Sequence, residues 1–395
     1  MNSSFYPLAS TTWDEDEYEA INRVTNSGIF TMGDEVFQFE SEFAEKLGAK
    51  YAVMTNSGSS ANLVMLAALK YMKNSKLPDN SSIIVPAVSW STTYYPIYQL
   101  GFVLSFIDID SETLNIDMNK VEEAIKPNTK AILAVNLLGN PSDLNALRII
   151  AEKYNLLLIE DNCESLGSKI NDKFAGTFGV AGSHSSFFSH HISTMEGGIV
   201  VTDDLELSQI MKSLRAHGWT RGLPKDNFVH PKSGLDWEDL YRFILPGYNL
   251  RPIEFEGAIG RSQIKKLDTF ISSRRQNAMY LLSFSKALPR IQFQKEFGES
   301  SWFGFSLLLQ GELKQRRSEL LVKLTEAGIE TRPIVGGNFT KNPVMKYLRH
   351  DELPSLKNAD QIHESGLFVG NHHFSITTQI DRLVEVLIDF ERAYE

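Results

Sequence analysis

A chain of 395 residues, 42% hydrophobic and 22% charged, is long enough for two globular domains and a large buried core. Its net charge of −10, with no block of Lys or Arg, argues against a nucleic-acid surface, so a phosphate-bearing ligand must be met by backbone amides or a local patch. The single cysteine, Cys163, excludes an intrachain disulfide, an all-Cys zinc site and an iron–sulfur cluster held by this chain alone.

The first residues carry neither a basic nor an apolar leader pattern, and no apolar run approaches the ~20 residues of a membrane span. A cytoplasmic protein with no membrane partner is expected. Residues 12 to 27 are predicted helical, with Thr11 or Thr12 as N-cap and acidic residues in the first turn. A glycine-punctuated turn, Gly28 to Gly33, then precedes an amphipathic run to about Leu47.

Tyr51 to Met54 reads as a strand, followed by Asn56-Ser57-Gly58-Ser59-Ser60-Ala61-Asn62 and a helical run from Leu63 to Met72. Strand, Gly/Ser turn and helix N-terminus form an anion site, because free amides and the helix dipole converge on the turn. Without Gly-x-Gly-x-x-Gly or a Walker lysine, a single phosphate monoester fits better than a dinucleotide, and an ordinary N-cap fits as well. A buried strand, Ile83 to Pro86, ends next to Trp90, which either stacks on a flat cofactor at the strand's carboxyl end or fills core. Strands follow at 104–110 and 131–136, separated by a helix near Met118 to Ile125, and this β/α alternation predicts a mostly parallel sheet covered on both faces.

The strand Leu156 to Ile159 runs into Glu160-Asp161-Asn162-Cys163-Glu164. A carboxylate at a sheet's carboxyl edge keeps a pyridine nitrogen protonated, or simply caps a turn. Cys163, beside acids and without a nearby base, reads as inert packing. Further on, a β-rich run from His184 to Phe188 meets a polar turn holding His190 and His191, and Glu196-Gly197-Gly198 leads into the apolar Ile199-Val200-Val201. Adjacent residues point opposite ways, so one of the two imidazoles is expected to face a ligand, and a metal reading fails for want of further ligands.

Arg215-Ala216-His217-Gly218-Trp219-Thr220-Arg221 follows a helix, 222–238 reads as a loop, and Gly247-Tyr248-Asn249-Leu250-Arg251 comes next. From about Pro252 the texture changes: a long helix from Phe255 to about Ala287, a strand Trp302 to Leu309, a helix Arg316 to Ala327, a strand at 330–335 and an amphipathic run Thr378 to Tyr394. Two domains are expected, 1–251 binding cofactor and 252–395 forming a smaller α/β unit.

Together these motifs resemble those of the pyridoxal-phosphate-dependent nucleotide-sugar aminotransferase and dehydratase family. The resemblance implies an α/β fold of fold type I, aspartate aminotransferase-like, working as a homodimer with shared active sites. It implies that the amides of Gly58 and Ser59 and the hydroxyl of Ser186 hold the cofactor phosphate, that Trp90 stacks, that Asp161 pairs the pyridinium and that Glu164 completes its motif. Asn249 would reach the cofactor phosphate of the neighbouring subunit. Gly28, Phe30, Met32, His217 and Arg221 would contact a nucleotide-sugar substrate, although the Gly28 turn serves equally as a helix–helix connector.

In this family Ser-Phe-x-x-x-Lys carries the Schiff-base lysine. Counting five residues from Ser186 puts His191 in that slot, and no lysine lies between Lys173 and Lys212. An imidazole cannot form the imine, but it can move protons near neutral pH. Stretches such as Pro86 to Tyr95 and Arg215 to Arg221 resemble the family's 3-dehydratase branch, which serves colitose and thus O-antigen lipopolysaccharide. The implied reaction is loss of the C3 hydroxyl from a GDP-linked 4-keto-6-deoxymannose, with pyridoxal and pyridoxamine phosphate as cofactor forms and L-glutamate as amino donor. His191 would act as base, then acid, and the product would hydrolyse with release of ammonia. A 4-aminotransferase would need a lysine in the slot. The iron–sulfur-assisted 3-dehydrases would need a cysteine cluster, and a non-catalytic cofactor-binding regulator would need a binding extension. His372 and His373 are left as candidates for a domain interface.

Overall fold

The computed structural model describes residues 4–394. Two helices, Glu15–Ser27 (α1) and Asp34–Leu47 (α2), precede a seven-stranded sheet. The cap of α1 is Asp14, not Thr11 or Thr12: its side chain accepts from the Asp16 amide while Glu17 reaches back to the Asp14 amide, and Thr12 is drawn inside to donate to Gln263 (2.6 Å).

The sheet comprises Tyr51–Thr55 (β1), Ser82–Pro86 (β2), Val103–Ile107 (β3), Thr129–Val135 (β4), Leu157–Asp161 (β5), Ala181–Ser185 (β6) and Gly198–Thr202 (β7), in the order β1-β7-β6-β5-β4-β2-β3. Only β7 runs against the others, pairing antiparallel with β1 and β6. Helices Gly58–Tyr71 (α3), Ser91–Gln99 (α4), Leu144–Lys153 (α5) and Leu205–Arg215 (α6) cover the sheet. Apolar residues therefore fill both faces: Val53, Ile83, Leu104 and Leu133 join one core cluster and Ile84, Ile107 and Ile132 another, all nearly or fully inaccessible. The parallel strands β2, β4, β5 and β6 all end on one side, which is where a ligand gathers in an open α/β sheet.

The second part opens with the helix Glu254–Leu282 (α7), which packs along α1 and α2. An antiparallel sheet of Ile291–Phe293 (β8), Gly304–Leu309 (β9) and Gly366–Gly370 (β10) follows. Helices Arg317–Glu326 (α8), Lys357–Ser365 (α9) and Thr377–Arg392 (α10) accompany it. The strand expected at 330–335 is absent. Pro333 lacks the N–H a ladder needs, and this stretch makes a single bridge, Arg332 with Phe368. That irregular segment lies across the carboxyl ends of the large sheet and brings Arg332 to them.

Candidate active site

A cavity of about 630 Å³ opens at the carboxyl ends of β4, β5 and β6. Ser57, Gly58 and Ser59 at the start of α3 form one wall, and Trp90 and Thr92 at the start of α4 another. The floor is Asp161, Cys163 and Glu164 after β5, and Phe303, Arg332, Pro333, Val335 and Phe368 close it from the second part of the chain.

The wall at α3 is built for close approach. Ser57 caps the helix, accepting from the Ser60 amide at 3.1 Å, so the amides of Gly58 and Ser59 remain free of side-chain caps. A Cβ on Gly58 would stand 2.6 Å from Ser185 Cβ, so only glycine lets β6 lie against the helix N-terminus. The Glu-Gly-Gly turn has the same cause: a Cβ on Gly198 would meet the Ser57 carbonyl oxygen at 2.1 Å.

Asp161 is 5% exposed, and its Oδ2 accepts from Asn62 Nδ2 (2.8 Å) and Thr93 Oγ1 (2.7 Å) while Oδ1 accepts from the Cys163 amide (3.2 Å). Among the described residues no Lys, Arg or His pairs with it. A buried carboxylate oriented by neutral donors beside an open cavity is suited to a cationic N–H of a ligand. Burial, with Asp161 next, pushes the Cys163 thiol up, which keeps it protonated and inert. Glu164 is pushed up to about 7 by burial, against the pull of Arg332 and a bond from the Leu138 amide (3.2 Å). The Arg332 guanidinium lies over the Phe368 ring at 4.6 Å, with no carboxylate within ion-pair distance among the described residues.

Of the two adjacent imidazoles, His190 lines the cavity and His191 does not. His191 is fully buried, and its Nε2 donates to the Ser301 carbonyl at 3.1 Å. The Nδ1 of His190 lies 2.8 Å from the Cys163 carbonyl oxygen. A carbonyl only accepts, so Nδ1 carries the proton and Nε2 is left with its lone pair. Burial holds this imidazole down to about 4, so it is neutral at pH 7.

The serine shifts by the same single residue. Ser185 lines the cavity, whereas Ser186 is buried with its hydroxyl 2.6 Å from that of Thr194. Successive strand residues face opposite sides, so a count begun one residue late selects the buried member of both pairs. Ser183 shares the face of Ser185: it points to α3 and donates to Asn62 Oδ1 at 2.6 Å, and Ser185 follows at i+2.

The other expected residues divide. Gly58, Ser59, Trp90, Asp161 and Glu164 line the cavity, with Trp90 59% exposed at its mouth. Gly28, Phe30, Met32, His217, Arg221 and Asn249 do not. Phe30 stacks on Phe255 (5.9 Å), Arg221 lies over the Trp219 ring (5.6 Å), His217 packs edge-on against Trp219, and Asn249 accepts from Arg251 Nε (3.0 Å). His372 ties the N-terminal segment down through Ser10 (2.8 Å) and the Pro7 carbonyl (3.0 Å), and His373 packs on Phe270. Sequence reasoning weighed His190 against His191 and chose the latter, and it passed over Ser185, Arg332 and Phe303. An arginine next to proline, just before the apolar pair Ile334-Val335, was the available signal for Arg332.

Among the described residues no group of three or more His, Cys, Asp or Glu side chains is placed to hold a metal, and no helix is long and apolar enough to cross a membrane. The donor set fits pyridoxal phosphate: free helix amides and two hydroxyls for phosphate, an uncompensated carboxylate for the ring nitrogen, and an exposed indole for the ring face.

The chain is 52% identical over 384 residues to GDP-4-keto-6-deoxy-D-mannose 3-dehydratase of Yersinia pseudotuberculosis, covering 97% of this chain and 98% of that one. It superposes with a TM-score of 0.95 on a crystal structure of GDP-4-keto-6-deoxymannose-3-dehydratase holding a trapped PLP-glutamate geminal diamine, at 53% identity over 97% of this chain and all of that one. A second structure, of ColD, carries lysine and asparagine in place of a histidine and the serine just before it, and matches at 52% identity over 96% of this chain and all of that one, with a TM-score of 0.94. The DegT/DnrJ/EryC1/StrS aminotransferase family matches residues 11–388, and the chain belongs to that family.

Proposed function

We propose that this protein removes the C3 hydroxyl of GDP-4-keto-6-deoxy-D-mannose, giving GDP-4-keto-3,6-dideoxy-D-mannose, with pyridoxal phosphate as cofactor and L-glutamate as amino donor. The observation that carries the reading is an imidazole, not a lysine amine, at the cavity's reactive edge, in a cavity otherwise equipped for that cofactor. When bound, the cofactor supplies an electron sink that L-glutamate loads with an amino group.

Every other part of the reaction falls to the chain. The Gly58 and Ser59 amides and the Ser185 hydroxyl bind phosphate, Asp161 holds the ring nitrogen and Trp90 covers the ring. Glu164 borders the same floor and completes the cofactor's polar contacts. Nε2 of His190, fixed by the Nδ1 bond to the Cys163 carbonyl, takes a proton as base and returns it to the departing C3 hydroxyl as acid. The serine–histidine pair altered in the ColD structure supports this residue, because in the 187–191 turn a serine precedes His190 and a histidine precedes His191. Arg332 provides the free cation for a carboxylate of L-glutamate.

The two units proposed, 1–251 and 252–395, divide the work: the first holds the cofactor and the second closes the cavity with Phe303, Arg332 and Phe368. Asn249, Gly28, Phe30, Met32, His217 and Arg221, which lie away from this cavity, would serve that of a second copy in a homodimer. The proposed setting is the cytoplasm.

The test is mass spectrometry of the product from GDP-4-keto-6-deoxymannose with pyridoxal phosphate and L-glutamate, alongside an ammonia assay. Net loss of the C3 oxygen with ammonia release is expected. An amino group at C4 would make the protein an aminotransferase and overturn the reading.

A further inference from the structure

The turn from Phe187 to Met195 is pinned at one end by a backbone bond from Phe188 to the Met195 carbonyl (3.0 Å). At the other end the Ser193 amide donates to Gln263 (3.0 Å) and Trp13 Nε1 donates to the Ser193 carbonyl (2.9 Å). Opposite His190 lies the segment 300–303, which is itself held rigidly. The Ser301 amide donates to the Gly139 carbonyl (2.8 Å), the Phe303 amide to the Leu138 carbonyl (3.1 Å), and Arg274 to the Phe303 carbonyl (3.0 Å). The Phe303 ring stands 5.1 Å from the His190 ring and 5.7 Å from that of His191.

From this geometry we propose that His191 is a positioning residue: its Nε2–H bond to the Ser301 carbonyl locks the histidine turn onto segment 300–303, and so fixes His190 between that segment and the Cys163 carbonyl. The inference rests on the reading of His190 as the proton carrier. Donation to a carbonyl fixes the Nε2–H form of His191 and leaves Nδ1 buried without a partner among the described residues. That nitrogen stays unprotonated, because burial and then the buried Arg274 beside it disfavour a second cation there. His191 is thereby a fixed neutral donor with a ring that fills the space beside Phe303. Glutamine keeps a terminal N–H at similar reach, whereas leucine fills volume without a donor.

The experiment compares His191→Gln, His191→Leu and His190→Asn, each checked for folding by circular dichroism and melting temperature. In cofactor-free protein with ¹⁵N-labelled histidine, the His190 Nδ1–H signal is assigned by its loss in His190→Asn. It is expected to be single and unshifted in His191→Gln and broadened or split in His191→Leu. With cofactor, L-glutamate and sugar, His191→Leu is expected to lose roughly 10²-fold in kcat, the cost of a small misplacement, with KM little changed and His191→Gln largely restored. If His191→Leu does not fold, His191→Asn, whose amide is too short to reach Ser301, replaces it in the contrast. An unchanged His190 signal together with unchanged kcat in the donor-less variant would overturn the inference. So would loss of activity in both variants with the His190 signal undisturbed, since His191 would then be a catalytic group. A wild-type protein that leaves the sugar intact would instead overturn the proposed function, and the histidine spectra would still decide the role of His191.

Discussion

Ser185 and His190 border open space, whereas their chain neighbours Ser186 and His191 are fully buried and bonded to Thr194 and Ser301. The four residues are two serines and two histidines, so side-chain chemistry does not separate the pairs. What separates them is which side of the β6 strand and its following turn each occupies. A proton carrier needs a nitrogen with a lone pair facing the substrate, and a strut needs both volume and a bond into rigid backbone. On the proposed roles of His190 and His191, the same residue type fills both jobs one position apart.

This contrast is open to breaking by mutation. The largest effect is expected at His190: His190→Asn should lower dehydration by ~10²–10⁴-fold, the usual worth of a positioned acid–base group, with cofactor affinity retained in an equilibrium titration. Equal activity to wild type would remove His190 from the chemistry. The serine pair should divide between binding and stability. Ser185→Ala should weaken pyridoxal phosphate binding by about 1.5–3 kcal/mol, as expected for a bond to a charged group, read as a roughly 10- to 100-fold rise in Kd. Ser186→Ala should leave Kd unchanged and lower stability by ~1 kcal/mol for the lost buried bond to Thr194. Reversed effects would put the phosphate on the other face.

The smallest effect concerns Glu164. Its carboxyl, pushed up to about 7 in the folded chain from an ordinary 4.5, binds more proton folded than unfolded between those values. Stability contributed by the protonated form is therefore lost as pH rises through about 7. In cofactor-free protein, Glu164→Gln should gain melting temperature relative to wild type as pH rises from 5 to 8, by a few degrees. A difference independent of pH would mean that Glu164 ionises normally.

Much of this site was legible because particular residues announce their surroundings. The apolar run Leu156 to Ile159 had to be a buried strand, and the carboxylates after it had to sit at the sheet's carboxyl edge, which is where Asp161 lies. Gly58 and Ser59 were legible for the same reason, as a Gly/Ser turn between strand and helix. The histidine turn was not, because the face on which a turn residue lands depends on where its strand ends. The strand ends at Ser185, short of the Phe188 that the β-rich composition suggested. Arg332 was hidden because Pro333 breaks its segment out of any periodicity, so the pattern that would place a side chain was missing. The residues expected to contact substrate, such as His217 and Arg221, do not line this cavity, and no sequence pattern within one chain could have shown that.

The proposed role of His190 requires that residue 190, not 191, face the cofactor when it is bound. Its most direct test puts lysine at each position, His190→Lys and His191→Lys, incubates each with pyridoxal phosphate, reduces with borohydride and weighs the intact protein. One phosphopyridoxyl group is expected on His190→Lys, mapped by peptide analysis to position 190, and none at 191 in a folded His191→Lys. Attachment at 191 with none at 190 would contradict it.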